Sequence, residues 1–169
     1  ANKGLEVIEA RWLFDLPPER IEVVIHPQSV VHSLVQFVDG SLVAQLSPPS
    51  MTFAIQHALL FPDRAPGVDE TVNFADAFSL DFQPPDPERF PCLRLAREAL
   101  AAGGVAPATF NASNEVAVSV FLENRIGFPS IARIIEHSLE SMKNREPSDL
   151  KDLLAADAEA RRLASAQAD

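Results

Sequence analysis

Ser33-Leu34-Val35-Gln36-Phe37-Val38-Asp39-Gly40-Ser41-Leu42-Val43-Ala44-Gln45-Leu46 is the stretch that decides the fold. Apolar and polar residues alternate on both sides of Asp39-Gly40, and an Asp-Gly pair between two such runs is the strongest short-range hairpin signal. Working back, Ile21-Glu22-Val23-Val24-Ile25 is short, β-branched and bounded, and reads as another strand. The polar connection His26-Pro27-Gln28-Ser29 joins it to the hairpin. Ala1 to Phe14 reads as a helix that begins at once. Asn2 is its expected N-cap, since an Asn side chain accepts from a first-turn N–H. Leu5, Ile8, Trp12 and Leu13 form its expected buried stripe, and Pro17-Pro18 closes it. Together these pieces predict a small antiparallel or mixed sheet with the first helix on one face.

Working forward, Ser47-Pro48-Pro49-Ser50 is a loop, and Met51 to Phe61 is apolar enough for a helix stopped by Pro62. Residues 68–90 read as irregular, with Phe74, Phe78, Leu80 and Phe82 as plugs into a core and Leu80-Asp81-Phe82 as a candidate short strand. Gln83-Pro84-Pro85-Asp86-Pro87 has the composition of a semi-rigid, extended linker. After it come four predicted helices. Cys92 to Ala102, with Leu93, Ala96 and Leu100 inward, stops at Gly103-Gly104. Asn111 to Glu123 follows, with Asn111 as its N-cap and Asn114 and Glu115 in its first turn. Phe128-Pro129-Ser130 opens the third, whose stripe is Ile131, Ile134, Ile135, Leu139 and Met142. Asp149 to about Ala166 is the last, with Leu150, Leu153, Leu154, Ala158 and Leu163 inward. Short links between such helices predict an antiparallel bundle. The expected class is α+β: an α+β portion over 1–83, a Pro-rich linker over 84–90 and a helical bundle over 91–169.

A chain of 169 residues, 47% apolar and 22% charged, can bury a core. A net charge of −10 argues against a nucleic-acid surface, which normally carries a basic patch. The one cysteine, Cys92, leaves no internal disulfide and no CxxC zinc module, and fits a reducing compartment. No apolar run is long enough to span a membrane, and the charged, amphipathic start lacks the apolar core of a signal peptide. With six glycines and neither GxGxxG nor GxxxxGK[ST], the chain carries no nucleotide-binding fingerprint of its own.

Lys3 and Glu6, three residues apart, share one face at the start of the first helix, beside the expected cap Asn2. By spacing alone they are an N-cap and an exposed ion pair; a helix start bearing Asn and Lys also suits a phosphate, and a carboxylate one turn on suits a hard metal ion. His26 and His32 flank the polar loop between strands, with Gln28, Ser29 and Ser33 around them. Either reading, a histidine bonded within the loop or one that acts on a ligand, fits that setting. Met51 stands ahead of a helix as core filler or as a contact closing over a ligand. His57 and His137 read as structural or surface residues. Asn111, Asn114 and Glu115 read as a cap that could brace a neighbouring site, and Arg145 as a residue able to pair across the bundle.

In this order the motifs N-K-G-L-E-V-I-E-A-R-W-L-F at 2–14, I-H-P-Q-S-V-V-H-S at 25–33, the Asp39-Gly40 hairpin, F-P-C-L-R-L-A at 90–96 and N-A-S-N-E-V-A-V at 111–118 closely resemble the 1-deoxy-D-xylulose 5-phosphate reductoisomerase family. The resemblance covers nearly the whole chain and corresponds to the C-terminal part of that family: the latter portion of the catalytic domain and the helical domain behind it. It implies a cytoplasmic homodimeric enzyme, with the catalytic-domain sheet pairing across the dimer. That enzyme converts 1-deoxy-D-xylulose 5-phosphate to 2-C-methyl-D-erythritol 4-phosphate in isoprenoid synthesis, using NADPH and Mn²⁺, Mg²⁺ or Co²⁺.

The resemblance implies that Asn2 and Lys3 hold the phosphate and hydroxyls of the substrate, Lys3 acting also in catalysis. It implies that Glu6 is one acidic metal ligand that also faces the substrate, that His32 is a catalytic-pocket histidine, and that Met51 lies near the substrate, the lid and the cofactor. The family has an acidic or polar residue where Pro49 or Ser50 stands here, so a differently shaped loop is expected before Met51. The other acidic ligands, phosphate-binding serines, lid and Gly-rich NADPH domain are expected upstream of residue 1. One Glu cannot fix a near-octahedral ion, so the chain alone is expected to be inactive. The other reading is a non-catalytic α+β module for dimerisation or partner binding, with vestigial site residues.

Overall fold

The computed structural model describes residues 1–75 and 78–168. Its elements in chain order are α1 (Asn2–Phe14), a 3₁₀ turn (Pro18–Arg20), β1 (Val31–Gln36), β2 (Leu42–Leu46), α2 (Thr52–Leu60), α3 (Pro91–Ala102), α4 (Ala106–Leu122), α5 (Phe128–Ser141) and α6 (Leu150–Ala168). The class is α+β, as expected. Packing divides the chain into two compact units. One joins Ala1–Val23 to the chain from Pro85 onward; the other is Val24–Pro84. The expected grouping of 1–83 differs from this at its start, because α1 packs on α3.

The α1–α3 contact also corrects the expected buried stripe of α1. Gly4, Val7 and Ile8 are the residues it buries, whereas Trp12, Leu13 and Phe14 are 70%, 76% and 69% exposed. Three- and four-residue spacing defines one helical face, and the one without bulk at its first turn is the one that lies flat on α3. Asn2 is the first helical residue rather than the cap: no side chain caps α1. The helix stops at Asp15, which takes a left-handed conformation and accepts from Arg11 at 2.7 Å.

Behind α1, the four helices pack around one core. Leu95, Ala96 and Ala99 of α3, Phe110 and Ala117 of α4, and Ile131, Ile134 and Ile135 of α5 are all buried in it. The α5 stripe matches the sequence reading. Two expectations fail. Helix α4 begins at Ala106, so Asn111 is an interior residue, bonded through Nδ2 to Glu115 Oε1 at 3.1 Å. The pyrrolidine of Pro107 sits in the first turn, where a missing N–H costs nothing. In α6 the buried face is Ala156, Ala160 and Ala164, while Leu150 and Leu154 are 70% and 59% exposed. Small side chains at four-residue spacing let α6 approach α4 closely. Ala160→Leu is accordingly expected to lower stability by about 1–3 kcal/mol through overpacking. An unchanged denaturant midpoint would contradict the close approach.

The turn from α5 into α6 is clasped by Asp152. Its carboxylate accepts from the Arg145 guanidinium and from the Ser148 amide at 2.9 Å; Arg145 is thus paired, but locally, with a residue seven positions on, and not across the bundle as expected. The Arg145 bond first, then the Ser148 amide, holds the Asp152 carboxyl below the usual carboxylate range. A depressed folded value means that this contribution is complete above the unfolded value, about 3.9, and is lost as the pH falls through the folded one. Protection of the Ser148 amide, relative to its intrinsic exchange rate, should therefore fall below about pH 4, and Asp152→Asn should show the low protection already at neutral pH. Identical profiles for the two proteins would remove the clasp.

In the second unit, β1 and β2 form a two-stranded antiparallel sheet with Leu34 opposite Ala44 and Val35 opposite Val43. The connection is longer than a two-residue Asp-Gly turn. Gly40 N–H bonds Phe37 O at 3.0 Å, Phe37 N–H bonds Ser41 O at 2.9 Å, and Gly40 has φ 85°. That is a three-residue loop, Val38-Asp39-Gly40, of the type that ends in a left-handed residue. Residues 21–25 form no strand: Ile25 alone bridges Gln83. Phe74, Phe78, Leu80 and Phe82 are 75%, 44%, 39% and 44% exposed rather than core plugs.

Candidate functional site

Helix α1 brings Asn2, Lys3 and Glu6 together. Glu6 stands four residues after Asn2 and three after Lys3, one turn on, so both side chains reach it. Asn2 Nδ2 donates to Glu6 Oε1 at 2.7 Å, and Lys3 Nζ donates to Glu6 Oε2 at 2.5 Å. Both carboxylate oxygens are thus engaged, one by a neutral amide and one by an ammonium. The Lys3 and Glu6 side chains remain 61% and 43% exposed. An ion pair this open is worth at most about 1 kcal/mol, so it yields readily to a better partner. An anion can draw Lys3 and Asn2 away, and a cation can take the carboxylate. The opening helix therefore presents donors and an acceptor that are paired with each other and accessible.

His32 and Met51 belong to the other unit. His32, on β1, donates from Nε2 to Ser47 O at 2.9 Å. With the proton on Nε2, a neutral ring keeps its lone pair on Nδ1, where it can accept a proton. Ser47 opens the loop that leads to Met51, so this bond ties down the head of the loop. The other end is held by Ser50, whose Oγ lies 2.7 Å from Asp69 Oδ2 and 2.8 Å from Thr52 Oγ1. The Ser50 hydroxyl, then that of Thr52, holds the Asp69 carboxyl below its ordinary range. Met51 directly follows the second tie, at the N-cap of α2, 71% exposed. It is a presented contact and not core filler.

Sequence reasoning missed Asp69 and Ser47 as partners, and also the setting of His26. His26 donates from Nδ1 to Asp81 O at 2.8 Å and stacks on Phe82 with ring centroids 4.7 Å apart. Gln28 and Asp81 bond each other reciprocally, Gln28 Nε2 to the Asp81 carboxylate and Asp81 N–H to Gln28 Oε1 at 3.3 Å. His26 is thereby a bonded loop histidine. No local signal marks these pairs, which join residues up to 55 apart in sequence. Asn114, expected in a cap, has an enclosed Oδ1 without a hydrogen-bond partner. Glu115 reaches Arg161 on α6 at 2.7 Å.

Hard divalent ions demand several oxygen ligands. Among the described residues no group of three His, Cys, Asp or Glu side chains is placed to hold one. Glu6 fits one position of such a site and cannot complete it. A dinucleotide, which calls for a Gly-rich turn at a helix start, finds none in this sequence.

A family profile described as the DXP reductoisomerase C-terminal domain matches residues 46–163. The chain is 58% identical over 164 residues to the 1-deoxy-D-xylulose 5-phosphate reductoisomerase of Burkholderia multivorans, covering 97% of this chain and 41% of that protein. The corresponding protein of Paraburkholderia xenovorans is 56% identical over 164 residues, again 97% of this chain and 41% of that protein. Among solved structures, the Zymomonas mobilis reductoisomerase in complex with NADPH superposes with a TM-score of 0.91 at 46% identity, over 99% of this chain and 44% of that one. A DOX-P reductoisomerase in complex with NADPH, fosmidomycin and magnesium gives 0.94 at 41% identity, over 99% and 43%. The chain thus spans less than half the length of these relatives.

Proposed function

The chain belongs to the DXP reductoisomerase family, and on that premise we propose that it supplies the C-terminal share of an enzyme that isomerises and reduces 1-deoxy-D-xylulose 5-phosphate with NADPH. The observation that carries this is the Glu6 carboxylate with Asn2 and Lys3 closed on it. In that arrangement Lys3 and Asn2 turn to the phosphate and hydroxyls of the substrate, and Glu6 gives one carboxylate to a divalent ion, Mg²⁺ or Mn²⁺. Such an ion polarises the substrate's carbonyl oxygen when bound, and NADPH supplies the hydride. The remaining ligands and the dinucleotide site lie outside the residues described here.

The chain's own residues have four tasks. The Lys3 ammonium neutralises substrate oxyanion charge. The Asn2 amide orients the hydroxyls. His32, fixed through Nε2 to Ser47 O, presents Nδ1 as the proton acceptor. Met51, held out just after the Ser50 tie, offers an apolar contact to substrate and cofactor. The enzyme so assembled is a cytoplasmic homodimer; Val35, Leu42 and Val43, 56%, 59% and 58% exposed on the sheet, support association there. No described helix is long and apolar enough to cross a membrane.

The test is a chimera in which this chain replaces the matching part of the Burkholderia multivorans relative. Purified with Mg²⁺, the chimera should oxidise NADPH in the presence of 1-deoxy-D-xylulose 5-phosphate, and the 169-residue chain by itself should not. Turnover by the isolated chain, or a folded dimeric chimera with none, would overturn the reading.

A further inference from the structure

The first turn of α1 carries the whole polar cluster, yet it is not held by a cap. No side chain satisfies its free N–H groups, and only the Ala1 carbonyl, accepting from Gly4 at 2.7 Å and Leu5 at 3.1 Å, closes the turn. Asn2 and Lys3 are exposed and Glu6 is half-buried. Within that turn the buried residue is Gly4. A Cβ built on Gly4 would lie 2.5 Å from Ala96 Cβ, 3.3 Å from Cys92 O and 3.6 Å from Phe110 Cζ. Ala96 and Phe110 are both fully buried at 0% exposure. The first turn therefore rests backbone-to-side-chain on α3, with no spare room.

We propose that Gly4 and Ala96 are positioning residues: their contact sets how far the Asn2–Lys3–Glu6 face stands from α3, and so where the Glu6 carboxylate and Lys3 ammonium meet a ligand. This rests on the function proposed above. Adding a methyl group at Gly4 requires a separation near 3.4–4 Å where 2.5 Å is available, so the helix start must lift by about an ångström. A displacement of that size at a reacting centre costs about 100-fold in rate. The local propensity points the other way, because Ala favours a helix interior more than Gly does. A loss of activity on Gly4→Ala is then a consequence of the seat and not of the helix.

The experiment uses the active chimera. Gly4→Ala is expected to lower kcat/KM about 10- to 100-fold, to raise the Mg²⁺ concentration needed for half-maximal rate, and to quicken amide exchange at Leu5 and Glu6. Gly4→Ala combined with Ala96→Gly removes the clashing methyl and is expected to recover most of all three. If the contact mattered only for stability, Gly4→Ala would lower the denaturant midpoint but leave kcat/KM of the folded enzyme and its Mg²⁺ requirement at the parent values, and that result would overturn the proposal. Gly4→Ala with unchanged kcat/KM and exchange, or a double variant worse than the single, would overturn the proposal. Should Gly4→Ala alone fail to fold, recovery in the double variant decides the matter. The function proposed above fails separately: in that case Glu6→Gln is also without effect on kcat/KM.

Discussion

Glu6→Gln in the active chimera is expected to lower kcat/KM by about 100-fold or more, the range seen when one preorganised charged group is lost from a reacting centre. The substitution keeps the side chain's length and leaves an oxygen to accept from Asn2 Nδ2, now bonded to Glu6 Oε1 at 2.7 Å. It removes the negative charge, which strengthens a carboxylate's hold on a divalent ion over that of an amide oxygen and which holds Lys3 Nζ at 2.5 Å. Stability should hardly change, because the Lys3–Glu6 pair is exposed and worth about 1 kcal/mol at most. The expected result is therefore a folded protein with an unchanged melting temperature, a weaker response to Mg²⁺ and little turnover. A value of kcat/KM within about threefold of the parent at saturating Mg²⁺ would remove Glu6 from the site.

The second large effect concerns the helical bundle. Gly104→Ala is expected to destabilise the chain by about 3 kcal/mol or more, adding the cost of a left-handed Cβ to that of overpacking. Gly104 has φ +56°, and an added Cβ would stand 2.5 Å from Arg145 O and 2.7 Å from Asn144 Oδ1. Neither atom is free to retreat. Asn144 Oδ1 accepts from Val105 N–H at 3.1 Å while its Nδ2 donates to Ala102 O at 3.1 Å, and Arg145 O accepts from Val105 N–H at 3.0 Å. The α3–α4 turn and the α5–α6 loop thus close on each other at Gly104. Gly67→Ala is the matched control: its nearest neighbours are 3.9 Å away, and it should stay within about 0.5 kcal/mol of the parent. Equal denaturant midpoints for the two variants would contradict the closure.

What could be read from the sequence follows from how far apart the deciding residues lie. The hairpin and α5 were legible because their signals are local: alternation around Asp39-Gly40 and the Ile131, Ile134, Ile135 stripe. The buried faces of α1 and α6 were not. Bulk suggested Trp12 and Leu13 on one and Leu150 and Leu154 on the other, but closeness of approach was decided by the partner helix, which selected Gly4 and the Ala156, Ala160, Ala164 row. The stretch 21–25 had strand composition and found a partner only at Gln83, since a β-branched run cannot form a ladder without a neighbour. In the site, the Asn2–Lys3–Glu6 grouping was legible from helical spacing. The His32–Ser47 and Ser50–Asp69 ties were not, because a single sequence carries no mark of which distant polar groups meet.

Helix α4 is the instructive error. The Asn111-Ala112-Ser113-Asn114-Glu115 run has the composition of a cap, yet it lies inside the helix. Thr109 and Ser113 satisfy their hydroxyls on the preceding turn, Thr109 on Val105 O at 3.0 Å and Ser113 on Thr109 O at 2.7 Å. Bonded in that way, small polar residues can be buried in a helix interior without a cost in unpaired groups. Both are buried in the core contact of α4 with its neighbours, at 1% and 0% exposure.

Manganese anomalous scattering from crystals of the chimera grown with Mn²⁺ is the most direct test that Glu6 is a metal ligand. The expected result is a peak about 2.0–2.3 Å from a Glu6 carboxylate oxygen, with Lys3 Nζ drawn off that oxygen toward the substrate phosphate. A peak bound by other side chains, with Glu6 still accepting from both Asn2 and Lys3, would contradict it.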